Sequence, residues 1–174
     1  WHIPSQAEYI TLVNFIGGNT VAGGILKETG TTHWASPNTG ATNDYLFSAI
    51  PGGYRYNGIF DGLGLAGVYR TSDSLLAILA YNSASIDLTN SAVDTYGYSV
   101  RLVKDDSVNP FTMLDYDGNN YPTVAIGNQV WLAQNWKCTR YNEGTLIPNI
   151  TDTFSWTTLS TGARCAYDNN ESYV

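Results

Sequence analysis

Asp115, Asp117 and Asn119 have the alternate spacing with which a short turn offers oxygens to a calcium ion, since a hard cation takes several oxygen ligands close together. The pattern is incomplete, because Gly118 comes early and no Glu closes the loop at the twelfth position; an Asp-Gly turn is the expected reading. Cys138 and Cys165 are the only cysteines, and a disulfide between them is the expected state in a chain of secreted composition, with two buried thiols as the alternative. A metal pair is disfavoured, because His2 and His33 lie far off in sequence without ligand spacing. His33 beside Trp34 has the chemistry of a base, yet no motif supplies a Ser or Cys nucleophile. Asp105-Asp106 reads as solvated charge. Asn149-Ile150-Thr151 and Asn170-Glu171-Ser172 are glycosylation sequons, which would place Asn149 and Asn170 on the surface. No nucleophile, metal cluster or phosphate loop emerges, so neither an enzyme nor a cofactor is expected.

The elements that must position these residues are short. Charged residues are 13% of the chain, while 13 Tyr, 5 Trp and 17 Gly point to aromatic packing and many turns. At 174 residues one core is expected. The formal net charge of -7 argues against a nucleic-acid surface, and no apolar run approaches the ~20 residues of a membrane span. The sequence opens without Met or a signal peptide, as expected of a processed product or a segment of something longer.

Ser5-Gln-Ala-Glu8 is a capping box, followed by Tyr9, Leu12, Val13 and Ile16 on one helical face and a stop at Gly17-Gly18. A second helix is expected over 21–29, weakened by Gly23-Gly24. Residues 30–53 read as a long loop pinned by Trp34, Phe47 and Tyr54. Strands are expected over 67–70, 76–81, 85–88 and 98–103, the last as a central strand. Gly127-Asn128 predicts a tight hairpin that sets Val124 opposite Trp131 and Ala125 opposite Val130, with apolar residues on both faces.

Two groups of words carry a family resemblance. DYDGNNYPTVAIGNQVWLAQN, NEGTLIPN and FSWTTLSTGARCAYDNNES resemble the opening half of the Fibrobacter succinogenes major paralogous domain. WHIPSQAEY, AGGILKETGTTHW, SPNTGATN, IPGGYR and YGYSVRLVKD resemble its closing half, here placed first. The resemblance implies an α+β, C-type-lectin-like unit, β-rich with one or two short helices and assembled from two split half-modules: residues 1–105, a linker 106–114 and residues 115–174. WHIPSQAEY is also similar to the proline-led helix of formylglycine-generating enzymes, but residues 1–105 hold no cysteine for that chemistry. The calcium words of sugar-binding C-type lectins are missing as well.

Within this frame, residues 70–74 and 82–95 depart furthest from the family, and in retroelement-diversified members the corresponding closing segment faces the ligand, which makes 54–95 the expected ligand-reading region. Tyr56, Asn57, Tyr69, Arg70, Asp73, Tyr81 and Asn82 are therefore the expected ligand contacts. Two half-modules with exposed apolar edges need completion. The expected function is a non-catalytic extracellular or cell-surface repeat that assembles head to tail with other copies into a fibre or array. The alternatives are docking of the halves within one chain, and a lectin-like module displayed on a cell or phage that binds glycans or a protein receptor.

Overall fold

The capping box forms as the sequence requires. In the computed structural model, which describes residues 1–173, Glu8 donates its backbone N–H to Ser5 Oγ (3.3 Å), and the Glu8 carboxylate accepts from the Ser5 backbone N–H (2.8 Å). This starts α1 (Gln6–Phe15), whose Tyr9, Leu12 and Val13 are buried, with Ile16 just beyond. Gly17 and Gly18 take φ of 113° and 91°, which ends the helix. A second helix, α2 (Asn19–Leu26), begins and ends earlier than expected. Its two glycines answer a close approach: a Cβ on Gly23 would stand 2.0 Å from the Ser85 carbonyl oxygen, and one on Gly24 would stand 2.3 Å from that of Gly40.

The helix stops at Leu26 because Lys27 is taken into the core. Its Nζ donates to the carbonyls of Thr39, Ala80 and Ser83 at 2.8 to 2.9 Å, and lies 5.2 Å from the centre of the Trp34 ring. Burial pushes the Lys27 ammonium down to about 8. The long loop that follows is tied by two of its three expected aromatics: Trp34 and Phe47 are buried, and Trp34 Nε1 donates to the Ala49 carbonyl (2.9 Å), whereas Tyr54 is half-buried in the strand that follows, its ring against Tyr56.

Five strands then form one sheet: β1 (Gly52–Tyr56), β2 (Ile59–Leu63), β3 (Ala66–Arg70), β4 (Leu76–Ala80) and β5 (Ile86–Asp87), in the order β2-β1-β3-β4-β5. A second sheet, in the order β6-β7-β8, is built from β6 (Thr112–Leu114), β7 (Asn120–Ile126) and β8 (Gln129–Leu132). The β7–β8 register is the expected one, with Val124 paired to Trp131 and Ala125 to Val130. The hairpin is covered unevenly: Trp131 and Val130 are buried, whereas Ala125 is exposed.

Two expectations need correction. Residues 112–114 are not linker but strand, because the free edge of β7 offers a ladder to Thr112, Met113 and Leu114. Residues 98–103 are not a regular strand; they change partners along their length. Gly97 bridges Arg55, Ser99 bridges Tyr69, and Val103 bridges both His2 and Trp131. Trp136 donates its backbone N–H to the Val100 carbonyl (2.8 Å), and Leu132 to that of Leu102 (3.0 Å). The segment thus laces the two sheets together.

These bonds close the halves on each other within one chain. One core contains Tyr9, Phe47, Tyr69 and Val103 from the first half and Ile126 and Trp131 from the second. Arg101, fully buried, adds a polar staple. Its Nη1 donates to the carbonyls of Phe47 (2.6 Å) and Leu132 (2.9 Å), its Nη2 to Asn135 Oδ1 (2.8 Å), and its guanidinium stands 4.3 Å from the Phe47 ring centre.

Gly23→Ala should lower stability in urea unfolding, reversing the ~1 kcal/mol gain that alanine gives in an open helix. Arg101→Met should cost more, at least about 2 kcal/mol, because it leaves two buried carbonyls without donors at roughly 1–3 kcal/mol each.

Candidate functional site: the groove between the halves

Asn57-Gly58, with Asn57 at φ 45° and Gly58 at φ 77°, turns β1 into β2. Alternation along β1 then sends Arg55 inward and Tyr54 and Tyr56 to the other face. Arg55 and Gly97 exchange both backbone hydrogen bonds (2.9 and 2.8 Å), so Tyr96 and Tyr98 fall on the face that carries Tyr54 and Tyr56.

The inward face is sealed by the second half. Arg55 Nη1 donates to the Ile150 carbonyl (2.7 Å) and Nη2 to that of Thr151 (2.9 Å). Its guanidinium lies between the rings of Phe60 (4.8 Å) and Trp156 (4.4 Å). Trp156 belongs to the short helix α3 (Thr153–Thr157), capped by Asp152, and its Nε1 donates to the Thr95 carbonyl (2.8 Å). Gly97 is small because a Cβ there would stand 3.0 Å from the Trp156 ring.

On the other face the four tyrosines make a ladder. Ring centres are 5.8 Å apart for Tyr54–Tyr56, 6.1 Å for Tyr56–Tyr96 and 6.3 Å for Tyr96–Tyr98, and all four are half-buried. Tyr54, Tyr96 and Tyr98 also line a groove of about 570 Å³ between the halves, continued by Trp136, Trp156 and Tyr167 from the second half. Arg70 lines it too, its Nη2 held by Asp94 (2.7 Å).

The seven expected ligand contacts do not form one surface. Arg70 lies in the groove and Tyr56 on the ladder. Tyr69 is corrected outright: it is fully buried and its hydroxyl donates to the Ile50 carbonyl (3.2 Å), because β3 is covered on both faces. Asp73 serves α1, its carboxylate accepting the Gln6 backbone N–H (3.1 Å). Asn57 is spent on the β1–β2 turn. Tyr81 and Asn82 follow the end of β4 that pairs with Ala66, the far end of the β3–β4 ladder from Arg70. The signal for the ladder, tyrosines two apart in GYRY and YGY, is masked in the first by an inward arginine.

Asp115, Asp117 and Asn119 form the expected Asp-Gly turn, with carboxylates saturated by protein donors. Asp115 accepts from the backbone of Asp117 and Asn119 (both 2.9 Å), from Asn119 Nδ2 (2.8 Å) and from the Tyr121 hydroxyl (2.8 Å). Asp117 accepts from Thr139 N–H (2.6 Å), Thr139 Oγ1 (2.8 Å) and Arg140 Nε (3.0 Å), and these donors, the Thr139 backbone first, hold its carboxyl below the usual range.

Cys138 and Cys165 are both free thiols here, where a disulfide was expected. Both line the groove, and burial pushes each thiol up, away from reactive thiolate. His33 is exposed and bonded to Glu28 (2.7 Å). The sequon residues Asn149 and Asn170 are exposed.

The Fibrobacter succinogenes major domain matches residues 1–104, more than half of the chain. The chain belongs to this family. The Fibrobacter succinogenes major domain match ends at the segment that laces the two sheets, and residues 115–174 lie outside it. No curated protein and no solved structure matches the chain.

Because the Asp115–Asp117 oxygens are already committed, millimolar calcium should leave the melting temperature unchanged. Asp117→Ala should lower it with or without the ion, by releasing Thr139 and Arg140. Calorimetric scans with and without calcium read both outcomes.

Proposed function

We propose that this Fibrobacter succinogenes major domain protein is a non-catalytic binding module, extracellular or on a cell surface, that holds a glycan strand in the groove between its halves. The observation that carries the reading is the tyrosine ladder. Four half-exposed rings at spacings of 5.8 to 6.3 Å run into a groove walled by further aromatics, and sugar rings present apolar C–H faces that stack on such surfaces. A concave, largely apolar wall with a few polar groups such as Ser99 and Asn135 is the usual form of a ligand site.

Two features support binding rather than turnover. Glycoside hydrolysis needs a pair of carboxylates astride the bond, and Asp94 is the single carboxylate among the groove residues, already held by Arg70. The two groove thiols are raised by burial rather than activated. Closure of the halves within one chain favours a ligand-binding module over a head-to-tail fibre, because both halves contribute to one core and bond to each other without a neighbour.

Tyr96 bridges the two pairs of the ladder, so Tyr96→Ala should weaken binding on a glycan array by about tenfold, roughly 1.4 kcal/mol, while the melting temperature stays near that of the parent. Binding unaltered by that substitution would remove the ladder from the site.

A further inference from the structure

The charge of the groove runs opposite to that of the chain. Of 8 Lys and Arg in the protein, four line it: Arg55, Arg70, Lys137 and Arg164. Of 15 Asp and Glu, Asp94 alone does. A chain with nearly twice as many acids as bases would place more acids than bases along a groove by chance. This concentration of cations is a local property of the site.

The cations are also incompletely used. Arg55 is 2% exposed, its terminal nitrogens go to backbone carbonyls and its Nε is buried without a partner; it forms no ion pair among the described residues, and Asp152 is the carboxylate that feels its charge. Arg164 bonds Glu171 through Nη1 (3.1 Å), while its Nε is likewise buried and unpartnered. Lys137 is exposed and forms no ion pair among the described residues. A buried guanidinium bonded to carbonyls rather than to a carboxylate, and walled by aromatic rings, keeps positive potential beside the groove.

Building on the glycan reading above, we infer that the groove selects an acidic polysaccharide, one that carries carboxylates along its chain. The aromatic walls take the sugar faces, Lys137 and Arg164 meet the carboxylates, and Arg55 adds positive potential from behind the wall without touching the ligand. The net charge of -7 repels polyanions from the remaining surface, so attachment of one reports this groove and not general stickiness.

The test is titration calorimetry of the full chain with polygalacturonate, with its fully methyl-esterified form and with polyglutamate. The expected result is binding of polygalacturonate, weaker binding of the ester and none of polyglutamate. Lys137→Gln, at an exposed position without ion pair, should weaken polygalacturonate binding about three- to fivefold with an unchanged melt. Raising salt from about 0.1 to 1 M, which shortens the screening length from about 10 to 3 Å, should weaken the acidic polymer and spare the ester. Equal affinity for acid and ester, or no effect of Lys137→Gln, would overturn the acidic selectivity and leave glycan binding standing. Binding of polyglutamate as tightly as polygalacturonate would overturn it as charge alone. Failure of both sugar polymers while a neutral glycan binds removes only this inference, and failure of every glycan removes the binding module with it.

Discussion

Two buried arginines, Arg55 and Arg101, hold the molecule in its shape. Each is contributed by the first half, neither meets a carboxylate, and each sends donors to backbone carbonyls of the second: Ile150 and Thr151 for Arg55, Leu132 for Arg101. Burying an uncompensated guanidinium is costly, and what offsets it here is a set of fixed carbonyl dipoles and aromatic faces. Those carbonyls exist at the right place only when the halves are docked. The arginines therefore tie the folding of residues 1–105 to residues 115–174.

The same constraint makes the groove. Arg55 sits under the β1–β2 hairpin with Trp156 and the 150–151 backbone as its cover, which leaves the opposite face of β1 to Tyr54 and Tyr56. Gly97, kept small by Trp156, aligns Tyr96 and Tyr98 with them. Structure and site thus share one determinant: the inward arginine sets the register that turns four tyrosines outward, and the second half that seals the arginine also provides the far wall.

Local signals were legible in the sequence. The capping box at Ser5, the stop at Gly17-Gly18 and the hairpin register through Gly127-Asn128 rest on short-range chemistry, and each forms as expected. The strands that failed did so for tertiary reasons. GYRY hides its alternation because the inward residue is an arginine, which hydrophobic patterning scores as exposed. Residues 98–103 alternate well yet pair singly, since each neighbour they cross belongs to a different element. Tyr69 is expected as a contact because it is a polar aromatic residue in the segment that departs from the family frame, but β3 lies in the interior of the sheet, where a tyrosine needs only one carbonyl for its hydroxyl. Lys27, three carbonyls deep, left no trace in the pattern that was read as helix to 29.

The central claim is that the two halves complete each other inside one chain. Light scattering of the purified protein over a wide range of concentrations, joined to a thermal melt, tests it most directly. The account predicts a mass of 19.0 kDa independent of concentration and one cooperative transition shared by both halves. Concentration-dependent oligomers or filaments, or two separate transitions, would contradict it.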